Sequence, residues 1–533
     1  MRFLGLRHHL RVTAKATSRA TRTIPTEAGP ERNLIGVDIG STSVKAALVT
    51  AHKGIVHVAR RPTVTHQVRG GGAYHLPHEL QAAVWAAIAE CAAIAGNSAV
   101  ARPQAIGIAS MAESGVPVDR RNQPVGEIMA WHDPRPQRQA AYLERQIGAA
   151  SLFARTGLRA EPKVTLAKLL WLREQRAADF SRLRHWAGVA ELAALELTGH
   201  LGTNASLACR TLAFDVTTRS WDRDLLGLAS LNVEEMPPVL PLGVPVGGLS
   251  AAAALKLGLT AGIPVAIAGH DHLATAIGAG VATAGAALDS MGSAEATLVV
   301  TQTPTLDEEV RKSGFSAGCH AIDGLWYVVG GLQSSGALVE WFVRAFLREG
   351  SEADGYAAFL ALLEQAGPGP AEPTVRPYLR GRTAPHPDST ATLEFDGLRE
   401  DHGLPEIAAA IIDGAAYHVR WMLDELARVS GAPLERVRLA GGGARNKRWL
   451  TAKAALGPGR LEVVRAEECG ALGAALIAGI AAGVYGSVDD ALADAAPIDR
   501  MTAPATLRAK YDAAYLDRWL PQVITRLRQS GMF

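Results

Sequence analysis

The sequence predicts an α/β protein built from two duplicated domains, and three observations carry that expectation. At 533 residues the chain is too long for one hydrophobic core, which favours two domains of roughly 250 residues each. A short pattern occurs twice: an apolar run, an acidic residue, a Gly-Ser turn and a second apolar run. It spans Leu34 to Val49, with Asp38, Gly40 and Ser41, and returns from Leu288 to Val300, with Asp289, Gly292 and Ser293. The order of strands and helices around each copy also repeats, which favours duplicated domains over a single barrel.

Each element follows from its local pattern. Asn33 to Ile39 reads as a strand and Val44 to Val49 as its hairpin partner, joined by a turn whose small residues expose backbone N–H groups. Such a turn can hold a phosphate, because an anion can approach it closely. Leu80 to Ala95 has helical apolar spacing. A strand at Ala105 to Ala109 then runs into the polar break Ser110 to Gly115, the position where α/β sheets present ligand groups. A strand over Glu127 to Trp131 ends in His132-Asp133, and residues 137–235 read as mainly helical. The strand Pro264 to Ala268 leads into Gly269-His270-Asp271-His272 and an Ala-rich helix. The second hairpin begins near Ala286. Pro- and Gly-rich sequence from Gly367 to Asp388 predicts a long surface loop, and a helix is expected over Glu406 to Ala427. The strand Arg436 to Ala440 enters Gly441-Gly442-Gly443, and a helix starts near Lys447. The Ala/Gly-rich stretch Gly470 to Gly486 is too short for a convincing membrane span and predicts a packed internal helix. The expected domains are residues 33–285 and 286–533.

Composition narrows the partners. A formal net charge of +2 gives no reason to invoke nucleic acid or a membrane surface. Cys91, Cys209, Cys319 and Cys469 lack the paired spacing of zinc sites and fit isolated buried thiols in a reducing, cytoplasmic setting. Residues 1–32 carry six Lys and Arg side chains before the first acid, Glu27. Without a long apolar face they are expected to form a disordered tail rather than a targeting helix.

Two carboxylates stand out as candidates for chemistry. Asp38 follows an apolar strand and precedes the first turn, where a carboxylate suits Mg²⁺ shared with substrate phosphates; the structural alternative is an Asp capping a turn. With Gly40, Ser41, Thr42 and Lys45 beside it, the functional reading is preferred. Asp271 lies at the carboxyl end of a strand, where it could accept a proton from an attacking hydroxyl in phosphoryl transfer or cap the following helix. His270, Asp271 and His272 could instead hold a metal, a reading ranked low because no further ligand is evident. The turn at Gly441-Gly442-Gly443 lacks dinucleotide-binding spacing. It would let a nucleotide base lie against backbone, with Asn446 hydrogen-bonding it.

Taken in order, these segments resemble the FGGY family of carbohydrate kinases over essentially the whole chain from Asn33. The resemblance rests on Gly36-Val37-Asp38-Ile39-Gly40-Ser41-Thr42-Ser43, Ala130-Trp131-His132-Asp133, Lys168-Leu169-Leu170-Trp171-Leu172, Gly269-His270-Asp271 and Ala440-Gly441-Gly442-Gly443-Ala444-Arg445-Asn446. It implies two actin-like (ribonuclease-H-like) domains with ATP and a sugar in the cleft between them. It also implies Asp271 as general base and Asp38 as a magnesium-associated carboxylate, with Asp271 as a second metal-side group. Gly40, Ser41, Thr42 and Lys45 match a first phosphate loop, Gly292 and Ser293 a second, and Gly336, Gly442 and Asn446 an adenosine pocket. On the acceptor side the expected contacts are Glu113, Trp131, Asp133 and His272. Glycerol kinases carry Arg-Glu where this chain has Ala112-Glu113, xylulokinases carry Met-His there, and His272 replaces the usual amide residue. A carboxylate at Glu113 favours a small neutral sugar or polyol over an anionic acid, unless Arg135 compensates. The expected partners are therefore that acceptor and ATP with Mg²⁺, in a chain compatible with a homodimer. The competing reading is an actin-fold ATPase acting as a sensor or assembly protein.

Overall fold

The computed structural model describes residues 31–68, 70–96, 102–347, 351–431 and 433–529. Most of the basic segment 1–32 lies outside the described residues. Its last two positions are anchored, Glu31 by an ion pair to Lys53 and Arg32 by a bond from Nη1 to Val484 O at 3.3 Å.

The N-terminal half builds one sheet from β1 (Asn33–Ile39), β2 (Ser43–Thr50), β3 (Gly54–Pro62), β4 (Pro103–Ser110), β5 (Gly247–Gly248) and β6 (Pro264–His270). Its order is β5-β6-β4-β1-β2-β3. Strands β1, β2 and β3 form an antiparallel meander, β1, β4 and β6 run parallel, and β5 is an antiparallel edge. The C-terminal half uses β7 (Ala286–Met291), β8 (Glu295–Thr301), β9 (Ser316–Cys319), β10 (Trp326–Leu332), β11 (Arg436–Ala440), β12 (Arg460–Val464) and β13 (Ile498–Met501). Its order, β9-β10-β8-β7-β11-β12-β13, repeats the scheme with β9 added beyond the meander. Again three antiparallel strands are followed by two parallel ones and an antiparallel edge.

Seven helices matter for the site: α1 (Pro77–Gly96), α2 (Thr165–Gln175), α3 (Asp271–Gly278), α4 (Gly336–Phe346), α5 (Leu404–Ser430), α6 (Lys447–Leu456) and α7 (Cys469–Ala481). Strand periodicity sorts them into layers. Ile35, Val37 and Ile39 face outward onto Leu80, Val84 and Ile88 of α1. Leu34 faces inward, into a core shared with Leu288, Leu298 and Ala440 of the other sheet. That middle layer contains α3 and α7. On the far side, Ala287, Met291 and Val299 pack against α5. Helix α1 is long and apolar enough by composition to cross a membrane, yet one face of it is this buried contact.

The Ala/Gly-rich helix α7 belongs in sequence to the C-terminal half but lies on the N-terminal sheet. Gly36 and Gly107 are register partners in β1 and β4. A Cβ at Gly36 would lie 1.9 Å from Ala471 O, and one at Gly107 would lie 1.9 Å from Ala474 O. Helices α3 and α7 cross equally closely, with Gly473 facing Ala274 O and Gly278 facing Cys469 O. Only residues without side chains allow backbone to meet backbone in this way.

Two local expectations are corrected. Of Glu127 to Trp131 only Ile128–Met129 is strand, because the chain turns immediately, with Asp133 N–H donating to Ala130 O at 3.1 Å. The stretch Gly367 to Asp388 is no surface loop: Val375, Tyr378 and Ala384 are buried. Its carbonyls are satisfied internally, Val375 O by Trp519 Nε1 at 2.8 Å and Ala384 O by His418 Nε2 at 2.9 Å. Pro and Gly signal irregular backbone there, but irregular backbone can be buried wherever donors reach it. All four cysteines are free and buried.

The close packing gives a direct test. Gly36→Ala should force α7 off the sheet, costing about 1–3 kcal/mol or more. Thermal denaturation should show a lowered melting temperature, whereas Gly54→Ala, at a position with nothing within 4 Å, should show only the smaller strain of its positive φ.

Candidate active site

The first turn forms because Gly40 N–H donates to Ser43 O at 3.1 Å while Thr63 Oγ1 donates to Gly40 O at 2.8 Å. Ser41 is half-buried there and Thr42 is exposed. The period of β1 points Asp38 inward, beneath that turn. Lys45 stands directly opposite in β2, with Nζ 3.7 Å from Asp38 Oδ2 and 3.3 Å from Glu468 Oε2. Glu468 immediately precedes α7 and also binds Arg60 at 2.7 Å. Gly470, the second residue of α7, sits against Asp38: a Cβ there would be 2.7 Å from Oδ2. Burial, only partly offset by Lys45, pushes the Asp38 pKa up to about 7, and the charges of Asp271 and Glu468 push in the same direction. Its Oδ1 is buried without a partner.

Asp271 begins α3 directly after β6. Gly269 makes the bend, at φ +111, where a Cβ would strike Ser206 Oγ at 2.3 Å. The turn is fixed by His270 N–H donating to that oxygen at 3.0 Å. His272 N–H donates to Asp271 Oδ1 at 2.7 Å, and His270 Nε2 lies 3.0 Å from the same oxygen. Burial opposes ionisation of Asp271, but the fields of His270 and His272 outweigh it and hold the carboxyl well below the usual carboxylate range. The donor atoms of His270, Asp271 and His272 lie within 4.8 Å of one another. Because the histidine and the backbone already bond to the carboxylate, the cluster orients Asp271 and has no need of an ion to hold it together.

Glu113 adopts a left-handed backbone, φ 60, which is costly for a residue of its type and common at functional sites. Buried Lys168 on α2 holds it there, Nζ donating to Glu113 O at 2.7 Å and to Ala130 O at 2.9 Å. Burial pushes the Lys168 pKa down to about 7. Arg210 grips the Glu113 carboxylate, with Nε and Nη2 2.9 and 2.6 Å from Oε1. Burial raises the Glu113 pKa, but Arg210, then His270 and Lys163, bring it below its ordinary value.

This arrangement corrects two acceptor-side expectations. Asp133 is closed to solvent, and both its oxygens bond to Arg135, whose guanidinium also binds Glu127 and lies 4.6 Å from the Trp171 ring. In this conformation Asp133 organises a loop and presents nothing to an acceptor. Arg135 is thereby committed, and Arg210 is the residue that neutralises Glu113. Trp131, 40% exposed, meets the His132 ring edge to face at 5.1 Å.

The C-terminal half encloses a cavity of about 830 Å³ whose lining includes Gly292, Ser293, Gly336, Gly442 and Asn446. The structure thus gathers the second turn and all three expected adenosine-side residues. Gly40, Ser41, Thr42 and Lys45 do not line it. Gly336 must be glycine because a Cβ would lie 2.7 Å from Gly292 O. Asn446 Oδ1 accepts from Trp449 N–H at 3.1 Å and so caps α6, which orients its side-chain amide.

Glu468, Arg210, Lys168 and His270 were not singled out for these contacts by sequence reasoning. Glu468 and Arg210 sit in no motif, and each is hundreds or nearly a hundred residues from its partner. Lys168 lay inside a recognisable stretch, and a lysine at a buried helical position was the available signal.

Two duplicated sheets enclosing crossed helices, with Asp38, Asp271 and Glu113 at strand ends, give the two-domain actin-like ATPase fold. The model of the FGGY family of carbohydrate kinases matches with its N-terminal domain over residues 33–278 and its C-terminal domain over residues 287–482. The chain belongs to that family, whose members transfer phosphate to an alcohol group. It is 29% identical over 508 residues to a glycerol kinase of Acidovorax ebreus (strain TPSY), covering 91% of this chain and 97% of that one. It is 23% identical over 465 residues to a gluconokinase of Bacillus subtilis (strain 168), covering 86% and 89%. A xylulose kinase structure from Rhodospirillum rubrum superposes with a TM-score of 0.83 at 26% identity, over 93% of this chain and 99% of that one.

The raised pKa of Asp38 has a measurable sign. The unfolded carboxyl ionises near 3.8 while the folded one keeps its proton to about 7, so in metal-free protein this residue costs stability increasingly across that window. Asp38→Asn should therefore melt higher than wild type in chelator, by about 2–4 °C at pH 8 and by less at pH 5.

Proposed function

We propose that this chain is an ATP-dependent carbohydrate kinase that phosphorylates a hydroxyl of a small neutral sugar or polyol by direct in-line transfer, with Asp271 as general base. The observation that carries the reading is the single cluster formed by Asp271, His270, His272, Glu113 and Arg210 at the ends of β6 and β4. An acceptor hydroxyl beside Asp271 meets a carboxylate already ionised at neutral pH. That carboxylate is a weak base, and it takes the proton as bonding to phosphorus makes the hydroxyl acidic. Glu113 is pinned through both its carbonyl and its carboxylate, so its remaining oxygen is oriented to accept from further hydroxyls. Trp131 offers an apolar face and His272 a neutral ring, since burial lowers the pKa of His272.

Among the described residues, the cations around Glu113 all have partners: Arg210 binds Glu113, Lys163 binds Glu161 at 2.6 Å, and Lys168 binds two carbonyls. Arg210 keeps Nη1 buried without a partner, so the support for a neutral acceptor of the pentulose or tetritol class is Glu113 itself, whose carboxylate accepts from hydroxyls and repels an acidic group. The donor set also fits Mg²⁺: Asp38 has an unpartnered buried oxygen, and Asp271 is close enough to perturb it electrostatically. Asp38 and Asp271 would hold the ion, which when bound neutralises charge on the phosphates. In this reading residues 33–285 bind the acceptor and the first phosphate turn, and residues 286–533 bind the adenine nucleotide through Gly292, Ser293, Gly336, Gly442 and Asn446. Four unpaired buried cysteines suit a cytoplasmic enzyme.

Asp271→Asn should retain nucleotide binding and lose about 10²–10⁴ in kcat; near-normal turnover would remove it as the base. A screen of ADP release across tetritols, pentuloses, pentitols, hexuloses and aldonates should find a neutral compound best. A clear preference for an aldonate would overturn the neutral assignment.

A further inference from the structure

Beneath the cavity that the proposed function gives to ATP lies a charged cluster with no part in the reaction described above. Lys453 on α6 is 4% exposed, and its Nζ donates to both Asp289 Oδ2 on β7 and Glu295 Oε1 on β8. Asp289 and Glu295 are each 1% exposed. Asp289 sits three residues before Gly292, and Glu295 pairs with Met291 across the hairpin, so the ammonium ties together the two strands that carry the turn Gly292 to Ala294. The other oxygen of Glu295 accepts from Ser335 Oγ at 2.6 Å. Ser335 leads into α4, and backbone bonds run from Ser335, Gly336 and Ala337 N–H to Ser293, Gly292 and Ser293 O at 3.2, 3.1 and 2.9 Å. Lys453 itself lies one helical turn beyond Trp449, which lines the cavity with Asn446.

We propose that Lys453 is a positioning residue for the nucleotide. Through Asp289, Glu295 and Ser335 it locks three walls of the cavity to one another: the second phosphate turn, the start of α4 and the start of α6. The inference rests on that cavity being the nucleotide site. Burying three ionisable groups is poor value as stabilisation, because well-packed apolar side chains usually serve as well or better. What a shared ammonium adds is register. It has three donors and a fixed reach, so it sets where both strands lie against the helix, which apolar contacts leave free to slide. Burial and the neighbouring Glu295 charge raise the Asp289 carboxyl well above its ordinary value, which lets one ammonium and one carboxylate balance charge inside the protein. A nucleotide meeting preset walls loses less affinity to ordering them.

The test is calorimetric titration of ATP and ADP into the full-length protein, alongside KM measurements for both substrates. Lys453→Met should weaken ATP binding about tenfold or more while the acceptor KM stays within twofold. The triple variant Lys453→Met, Asp289→Leu, Glu295→Leu should melt at or above the wild-type temperature yet keep the weakened ATP binding, an outcome that a merely structural cluster would not give. ATP affinity within twofold of wild type in the folded triple variant would overturn the proposal. Should neither variant fold, Ser335→Ala decides it: about threefold weaker ATP binding supports the relay, and unchanged binding overturns it. A wild-type chain that binds no adenine nucleotide would overturn the reading of the cavity, and this inference with it.

Discussion

Contact of α7 with the N-terminal sheet is the constraint on which the rest of the molecule depends. Gly36 and Gly107 lie side by side in β1 and β4 and give a smooth floor, and α7 rests on it at backbone distance. A helix from the C-terminal half thus becomes part of the N-terminal core, and its crossing with α3 is equally close. The approach fixes the position of the first residues of α7, and Glu468 and Gly470 are the residues that meet Lys45 and Asp38. The candidate site is therefore assembled from both halves because a stripe of small residues allows one half to lie inside the other.

The two hairpins show how one residue of offset changes a role. Asp38 lies two positions before Gly40, and Asp289 three positions before Gly292. In a strand each step reverses the face, so Asp38 points into the middle layer and Asp289 points to the outer core. Ser290 holds the place in the second hairpin that Asp38 holds in the first. The sequence resemblance between the copies is real at the turns and misleading at the acids. The acid with an unpartnered oxygen faces the site, and its apparent twin is bound to a buried lysine.

Much of the fold was legible because its signals are local. Continuous apolar runs located β1, β2, β4 and β6, and the glycine turns located the cavity wall. The stretch Gly367 to Asp388 was misread because burial of irregular backbone depends on distant donors, Trp519 and His418, which leave no mark nearby. The site divides the same way. Asp38, Asp271 and Glu113 stand at strand ends that the pattern exposes. Their partners Glu468 and Arg210 are remote in sequence, and an Arg or Glu in a helical region has no feature that separates a buried ion pair from a solvated one. Arg210 matters because it, and not Arg135, is the cation that compensates Glu113.

Burial alone does not decide how the site's three carboxylates behave. Asp38 and Glu113 are largely buried and Asp271 partly so, and desolvation acts on each in the same direction. Asp271 and Glu113 end below their ordinary values because His270 and His272 surround one and Arg210 grips the other. Asp38 ends at about 7 because its one cation, Lys45, is shared with Glu468 and stands 3.7 Å away. Two of the acids are thus fixed as anions by the protein itself. The third is balanced near neutrality with an unpartnered oxygen, so it alone gains substantially when a further positive charge arrives. In the function proposed above, that asymmetry would let one cleft present a fixed proton acceptor, a fixed hydroxyl acceptor and a conditional cation ligand from the same kind of side chain.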